Sequence, residues 1–233
     1  MNRRYLLEIS VETLEAALAA QRGGADRLEL CGNLSIGGVT PGIDLMRTVR
    51  EQLRIPVFTM IRPRGGDFVY SATEFAEMKR FIADAKQAGM DGVVLGILKN
   101  ERRVDIGRTR ELVEFARPLH VTFHRAFDGC ADLREALEDV IQTGAGRILT
   151  SGGAKSAPEG ASTLAELVQL ARERVVILLG SGINASNISE VAKHTHAREF
   201  HSGLGTRLPY GGTNYELFKT EIREMASILD RYS

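Results

Sequence analysis

Short apolar runs recur along the chain, roughly one every 28 residues, and a pattern of helical periodicity follows each run. Eight such runs begin near Tyr5, Arg27, Val57, Gly92, His120, Arg147, Val175 and Glu199. Regular alternation of strands and helices predicts parallel strands joined by crossover helices.

The lengths of the links distinguish two folds with this element order. The helix-to-strand links at 23–26, 89–91 and 144–146 are short. The strand-to-helix links are long, polar and rich in glycine: 31–42, 62–72, 151–161 and 202–214. Long loops after all the strands are typical of a barrel, whereas a doubly wound sheet, the alternative, would concentrate them at one switch point. We therefore predict an α/β fold in which residues 1–233 form a single (β/α)8 TIM-barrel domain.

Helix boundaries can also be predicted from local patterns. Ser71 with Glu74, and Thr163 with Glu166, match the capping box that satisfies the free amides of a first helical turn. Glycines in the left-handed conformation are expected to end three helices: Gly24, Gly89 and Gly144.

Alternation within the strands predicts which polar side chains point into the barrel. In the run that starts at Arg27, the leucines should face the helices, so Glu29 points inward. The same parity directs six more polar residues inward: Glu8, Arg62, Thr122, His124, Glu199 and His201. Five of them, Glu8, Glu29, Arg62, His124 and His201, are expected at the C-terminal rim of the barrel. Because buried charges must be paired or solvated, this set either neutralises itself or binds a ligand.

The segment after the third strand is a candidate anion-binding wall. Arg62 and Arg64 flank a proline, and two guanidinium groups suit a phosphate or a carboxylate. Asp67 is the third predicted binding residue of this segment. A purely structural alternative has Arg62 neutralise Glu29 or Glu8 inside the barrel, while Asp67 pairs with Arg64.

The candidate catalytic residues are the inward acids and histidines: Glu8, Glu29, His124 and His201. His124 ends the fifth strand, where an imidazole beside a carboxylate can act as a general acid or base. It could equally be held by one carboxylate for structure alone. Asp128, four residues later, is expected to cap the helix that follows.

Small residues end the last three strands and form a candidate phosphate site. Its predicted members are Ser151, Gly152, Gly180, Gly182, Ser202 and Gly203. Barrels often hold phosphate after strands seven and eight through backbone amides and a helix N-terminus. Tight turns are the alternative explanation for these glycines, and none of the three segments has the spacing of a dinucleotide or Walker motif.

Composition narrows the classes of partner. The 30 basic and 30 acidic side chains cancel without long blocks of one sign, which argues against duplex nucleic acid as a ligand. No apolar run approaches the ~20 residues of a membrane span. The apolar stretch after Arg3 and Arg4 is interrupted at Glu8, too early for a signal peptide. We expect a cytoplasmic protein that binds neither nucleic acid nor a membrane.

Cys31 and Cys130 are the two cysteines, too few for a disulfide framework. Soft Cu(I) prefers thiolate and thioether ligands, so both cysteines and Met60 are candidates. The ends of strands two and five of an eight-stranded ring should lie on the order of 12 Å apart, too far for one shared ion. Small buried thiols are the favoured interpretation.

Four segments together resemble the CutC family: 29–41, 60–70, 122–128 and 148–153. The resemblance runs in order from Glu8 to Ser202, and the second and third segments are highly specific. It implies a cytoplasmic TIM barrel that often forms homodimers and is linked by its family name to copper homeostasis.

Carried onto this chain, the resemblance implies a pocket formed by Glu8, Glu29, Arg62, Arg64, His124 and His201. Family members often have a second serine at strand eight, where this chain has Gly203, so one hydroxyl is lost. No cofactor motif is present, no metal ligand is assigned, and Cu(I) follows only from the family name.

These observations leave three hypotheses. The first is a copper-handling protein that binds Cu(I). The second is an enzyme that acts on a small anionic or phosphorylated metabolite at the barrel mouth, where Arg62 and Arg64 bind the anion and His124 or Glu29 moves protons. The inward residues are hard ligands that suit Cu(I) poorly, which favours the second. The third is a protein that only binds other proteins. It is least favoured, because it would not explain the charged side chains inside the barrel.

Overall fold

The computed structural model describes residues 5–203 and 214–232. Eight parallel strands form a closed barrel in chain order, with the last strand paired to the first. The strands are β1 (Leu6–Val11), β2 (Arg27–Leu30), β3 (Val57–Met60), β4 (Gly92–Leu95), β5 (His120–Phe123), β6 (Arg147–Thr150), β7 (Val176–Leu179) and β8 (Glu199–Ser202). The predicted TIM barrel is confirmed, and every strand begins within one residue of its predicted start.

A helix follows each strand and packs on the outside of the barrel. The helices are α1 (Leu14–Gly23), α2 (Ile43–Gln52), α3 (Ala72–Gln87), α4 (Ile106–Ala116), α5 (Leu133–Thr143), α6 (Ala161–Ala171), α7 (Ile188–Thr195) and α8 (Tyr215–Arg231). Short 3₁₀ turns at Leu34–Ile36 and Arg125–Gly129 lie within two of the strand-to-helix links. No helix among residues 5–203 and 214–232 is long and apolar enough to cross a membrane.

The asymmetry of the links is as predicted, with one exception. Only Glu12 and Thr13 separate β1 from α1, so the first strand has no elaborated loop. The link after β8 lies mostly outside the described residues, as do Arg3 and Arg4. The remaining long links all follow the C-terminal ends of the strands, and they therefore build one face of the barrel.

The predicted capping boxes had different outcomes. At α3, Ser71 accepts from the Glu74 amide and the Glu74 side chain accepts from the Ser71 amide, which confirms that prediction. The Thr163 prediction is wrong, because α6 begins at Ala161 after Gly160. Gly160 packs so closely on the β6 end that an added Cβ would lie 2.0 Å from the Ser151 carbonyl oxygen. This tertiary contact starts the helix before the local capping pattern does.

The main core lies between the barrel and its helices. Side chains that face outward from the strands, such as Leu28, Phe123 and Phe200, are fully buried there. Burial of each such side chain contributes about 1.5–3 kcal/mol. The barrel interior is different, because charged groups occupy much of it.

Candidate functional site

A closed set of ion pairs, the lower ion network, lies inside the barrel and consists of Glu8, Arg27, Arg147 and Glu199. Arg27 donates to Glu8 through Nε, and its Nη2 donates to Glu199 Oε2 over 2.7 Å. Arg147 Nε donates to the same Glu199 oxygen over 2.6 Å. Both guanidinium groups also lie on Phe58, 5.0 and 5.5 Å from its ring centroid. Two carboxylates and two guanidinium groups leave this network with no net charge.

The lower ion network is locked in its charged form. Burial alone would raise the pKa of both carboxyls. The Arg27 guanidinium nevertheless holds the pKa of Glu8 well below its usual range, and Arg147 lowers that of Glu199. Glu8 is therefore a carboxylate at any ordinary pH.

A cavity of about 260 Å³ opens above this network at the C-terminal ends of the strands. We call it the mouth cavity. Seven of the predicted site residues line it: Glu29, Arg62, Gly182, His124, His201, Ser202 and Gly203. Six do not: Glu8, Arg64, Asp67, Ser151, Gly152 and Gly180. Glu8 was expected at the rim with Glu29 and lies instead beneath it.

His201 joins the lower ion network to the mouth cavity. Its Nδ1 lies 2.8 Å from Glu8 Oε1, and its Nε2 lies 3.8 Å from Glu29 Oε2. Because the Glu8 carboxylate can only accept, Nδ1 carries a proton, and Nε2 is the ring nitrogen that faces Glu29. His201 is thus held between two buried carboxylates.

Glu29 and His201 form a pair of buried titratable groups, each of which shifts the pKa of the other. Burial raises the pKa of Glu29, although the positive charge of His201 opposes this. Burial alone would lower the pKa of His201, but the hydrogen bond with Glu8 and the charge of Glu29 raise it. Since the lower ion network is neutral, the Glu29–His201 pair also has no net charge in two forms. Either Glu29 is a carboxylate and His201 an imidazolium, or Glu29 is a carboxylic acid and His201 a neutral imidazole. Such a pair can both release and accept a proton.

His124 lies in the mouth cavity with the opposite electrostatic character. Its Nδ1 accepts a 3.2 Å hydrogen bond from the Ala126 amide at the start of a 3₁₀ turn. Burial and the charge of Arg62 lower its pKa to about 3. His124 is therefore a neutral imidazole with its proton on Nε2.

Arg62 is largely committed to loop structure. Its Nη1 donates to the carbonyls of residues 36–38 over 2.9–3.2 Å, and its Nη2 donates to the Gly66 carbonyl over 2.9 Å. The structural alternative in which Arg62 neutralises Glu29 or Glu8 is therefore wrong: no hydrogen bond or ion pair to either acid occurs among the described residues. Its Nε remains buried and unpaired.

Arg64 and Asp67 stabilise their own loop. Arg64 Nη2 donates to Asp67 over 2.9 Å, and its Nε donates to Glu74 over 2.6 Å. The predicted Arg64–Asp67 pair is confirmed. This pairing and the position of Arg64 outside the mouth cavity leave Arg62 as the arginine of this segment that faces the site.

The strand end at Ser151 and Gly153 is occupied by a carboxylate of the protein itself. Asp128 accepts from the Ser151 amide over 3.1 Å, the Gly153 amide over 3.0 Å and the Thr150 hydroxyl over 2.5 Å. Asp128 was predicted to cap α5, but Asp132 does so. The amides that suit a phosphate at this strand end are thus already satisfied.

The strand end after β7 has no such internal partner. Ser181 and Gly182 both have positive φ, at 77° and 74°. The backbone amides of Ser181, Gly182 and Ile183 donate no hydrogen bond within the described part of the chain. All three residues line the mouth cavity. Free amides in this conformation suit an anionic group.

The cysteines do not form a site that fits Cu(I). Cys31 packs with Phe58, Met60 and Val94, whereas Cys130 belongs to the main core outside the barrel. Burial raises the pKa of Cys31 well above that of a free thiol, and it raises the pKa of Cys130 to about 11. Within the described ranges, no three His, Cys, Asp or Glu side chains are grouped to hold a metal ion. Two separated, protonated thiols are poor ligands for a shared ion.

Some residues of the mouth cavity were missed from the sequence. Ser10 follows Glu8 by two positions on β1 and could have been found by strand parity. Phe68 and Arg125 belong to the segments 60–70 and 122–128, but the sequence did not indicate a function for either side chain. Ser181 gives no sequence signal, since its positive φ is set by the turn.

A closed parallel barrel with a polar cavity at the C-terminal ends of its strands defines a TIM-barrel protein. The model of the CutC family matches residues 5–206, and the chain belongs to that family. A CutC family protein from Xanthomonas campestris is 48% identical over 196 residues, which cover 84% of this chain and 82% of that protein. One from Vibrio parahaemolyticus is 46% identical, covering 86% and 83%.

Solved structures agree with this assignment. A CutC protein from Streptococcus agalactiae, described in terms of copper homeostasis, superposes with a TM-score of 0.81 at 31% identity. The match covers 85% of this chain and 98% of that one. Thiamine phosphate pyrophosphorylase from Pyrococcus furiosus has a TM-score of 0.65 at 17% identity, covers 98% and 97%, and shares the fold alone.

Proposed function

We propose that the protein is an enzyme that binds a small anionic metabolite in the mouth cavity and moves a proton on it. The observation that carries this proposal is His201, fixed by Glu8 at Nδ1 and facing Glu29 at Nε2. A buried carboxylate that fixes an imidazole tautomer is a recurrent way to prepare a general acid or base. The Glu29–His201 pair is the proton carrier in this proposal.

The anionic class of the ligand is inferred from the opposite strand end. The free amides of residues 181–183 and the positive charge of Arg62 both favour an anion. The cavity volume of about 260 Å³ fits a compact metabolite better than a dinucleotide. Of the two arginines considered from the sequence, Arg62 alone enters the proposal.

The link to copper is proposed as a cellular role and not as a ligand. The family name and the Streptococcus agalactiae relative associate such proteins with copper homeostasis. The separated, protonated thiols argue against a resident Cu(I) ion. Cu(I) titration should therefore give the same result for wild type, Cys31→Ser and Cys130→Ser, and loss of binding in either variant would favour the copper-binding hypothesis. A cytoplasmic location and a homodimer also remain proposals.

The test is calorimetric titration with sulfate and 2-phosphoglycolate at about pH 8, where a phosphate monoester is fully ionised. An anion near the Glu29–His201 pair favours its doubly protonated form, so binding should take up a proton. Measurement in two buffers of different ionisation enthalpy gives the number of protons. The double variant Glu29→Gln/His201→Gln removes both titratable groups of the pair and should lose the uptake, while the exposed control Glu114→Gln should match wild type. No binding of either anion at millimolar concentration by wild type, or uptake by the double variant equal to that of wild type, contradicts the proposal.

A further inference from the structure

The mouth cavity contains unpaired hydrogen-bonding atoms that indicate what its ligand must offer. Five buried side-chain nitrogen or oxygen atoms have no partner within the described residues, and three belong to cavity-lining side chains. These three are Glu29 Oε1, Arg62 Nε and His124 Nε2. An unsatisfied buried donor or acceptor destabilises the protein, so a ligand that pairs with these three atoms is favoured.

The two nitrogens are both donors. His124 Nδ1 accepts from the Ala126 amide, so the ring proton is on Nε2. Gly96 leaves room for this ring, since an added Cβ would lie 2.6 Å from Nδ1. Arg62 uses Nη1 and Nη2 on loop carbonyls, which leaves the Nε–H free.

The Phe68 ring packs against both donor side chains. The His124 ring centroid and the Arg62 guanidinium carbon each lie 4.9 Å from the centroid of the Phe68 ring. The N–H of the neutral His124 ring and the N–H of the Arg62 cation are donors of the kind that stabilise an oxygen as it becomes negatively charged. A neutral imidazole whose Nδ1 is held by a backbone amide can polarise a carbonyl without giving up its proton.

We propose that the ligand is a carbonyl compound whose oxygen accepts from His124 Nε2–H and Arg62 Nε–H, while the Glu29–His201 pair removes a proton from the adjacent carbon. This inference rests on the proposed function and assigns its substrate class. In the step, the C–H bond breaks and its electron pair forms a carbon–carbon double bond. The carbonyl π electrons move onto the oxygen, which becomes an enolate, and the proton goes to the pair. Return of the proton to the same carbon completes an exchange. Where that carbon bears a hydroxyl group, transfer of the hydroxyl proton to the enolate oxygen and return of the carbon-bound proton to the former carbonyl carbon complete an isomerisation, without any oxidant or reductant.

Two variants of His124 separate this role from a structural one. Asparagine places its side-chain oxygen near the Nδ1 position, so His124→Asn keeps the acceptor for Ala126 and loses the donor. Glutamine places its amide nitrogen near the Nε2 position, so His124→Gln keeps the donor and loses the acceptor. A purely structural His124 would tolerate asparagine better than glutamine, and the proposal predicts the reverse for catalysis.

The experiment is proton NMR of C–H exchange in D₂O. The probes are dihydroxyacetone, glycolaldehyde, pyruvate, dihydroxyacetone phosphate and glyceraldehyde 3-phosphate. Wild type should accelerate exchange at the carbon next to the carbonyl of at least one probe. His124→Asn should lower that rate about 100-fold, the effect of removing one such donor, with unchanged urea unfolding. His124→Gln should retain more of the rate.

Two results overturn the inference. One is no enzyme-dependent exchange with any of the probes. The other is wild-type exchange in His124→Asn together with its loss in His124→Gln, which would make His124 a turn-capping residue only. If proton uptake on anion binding persists in either case, the proposed function stands and the carbonyl assignment alone fails.

Discussion

The lower ion network and the mouth cavity above it both contain buried charged groups, but they differ in whether those groups have partners. In the lower ion network each guanidinium contacts a carboxylate, and the charges cancel. In the cavity, Glu29, Arg62 and His124 each leave one buried atom unpaired. Burial of charge in a barrel is therefore insufficient evidence of a site, and unsatisfied atoms beside a cavity are the more specific sign.

The largest effect should come from breaking the complete network. Arg27→Met leaves Glu8 and Glu199 without their shared cation, so we expect a loss of about 3–5 kcal/mol in the free energy of unfolding. Urea unfolding measures it. The control is Arg174→Met, which breaks an exposed pair with Glu138 and should cost less than about 1 kcal/mol. Similar losses in both variants would mean that the network contributes no more than a surface ion pair.

The two regions should also differ in the sign of their pH dependence. The pKa values of Glu8 and Glu199 are lowered on folding, so their stabilisation is present above the unfolded pKa of about 4.3 and is lost as pH falls. The pKa of His201 is raised, so its stabilisation is present below about 6.5 and is lost as pH rises through the folded value. The raised pKa of Glu29 acts in the same direction as that of His201.

Urea unfolding across the pH range should therefore show stability falling on both sides of a maximum. His201→Gln should flatten the alkaline side and leave most of the acid side. An alkaline side that is unchanged in this variant would contradict the assignment of the raised pKa to His201.

A smaller effect is expected at the two glycine-containing strand ends. Asp128→Asn weakens the charge-assisted hydrogen bonds to the Ser151 and Gly153 amides, so we expect a loss of about 1–2 kcal/mol. Hydrogen exchange of those two amides should accelerate. The amides of Ser181 and Gly182 have no internal acceptor among the described residues and should exchange rapidly in both proteins. Protection of Ser181 and Gly182 in wild type would show that the two strand ends are alike.

The sequence predicts the barrel well because its signals are local and periodic. Strand parity predicts that the side chains of Glu29 and His201 point into the barrel. Both line the mouth cavity, where they lie near each other. Parity also predicts that Glu8 points inward, but it does not give the position of a side chain along the barrel axis. Glu8 therefore lies in the lower layer against Arg27, outside the predicted rim.

The roles of individual polar groups depend on contacts between distant segments. Arg62 binds carbonyls of residues 36–38, and Asp128 reaches amides 23 and 25 residues away. No pattern around Arg62 or Asp128 indicates these partners. The tautomer of His124 follows from one backbone amide, which the sequence alone does not place.

The most direct test of the account is ¹⁵N NMR of the histidine rings as a function of pH. The chain has five histidines, and His124→Asn and His201→Gln identify the two signals of interest. We expect His201 to titrate above the usual value of about 6.5. His124 should stay neutral, with its proton on Nε2, until the pH approaches about 3. A His201 that is neutral at mildly acidic pH, or a His124 that takes up a proton near pH ~6.5, would contradict the division of roles between proton carrier and neutral donor.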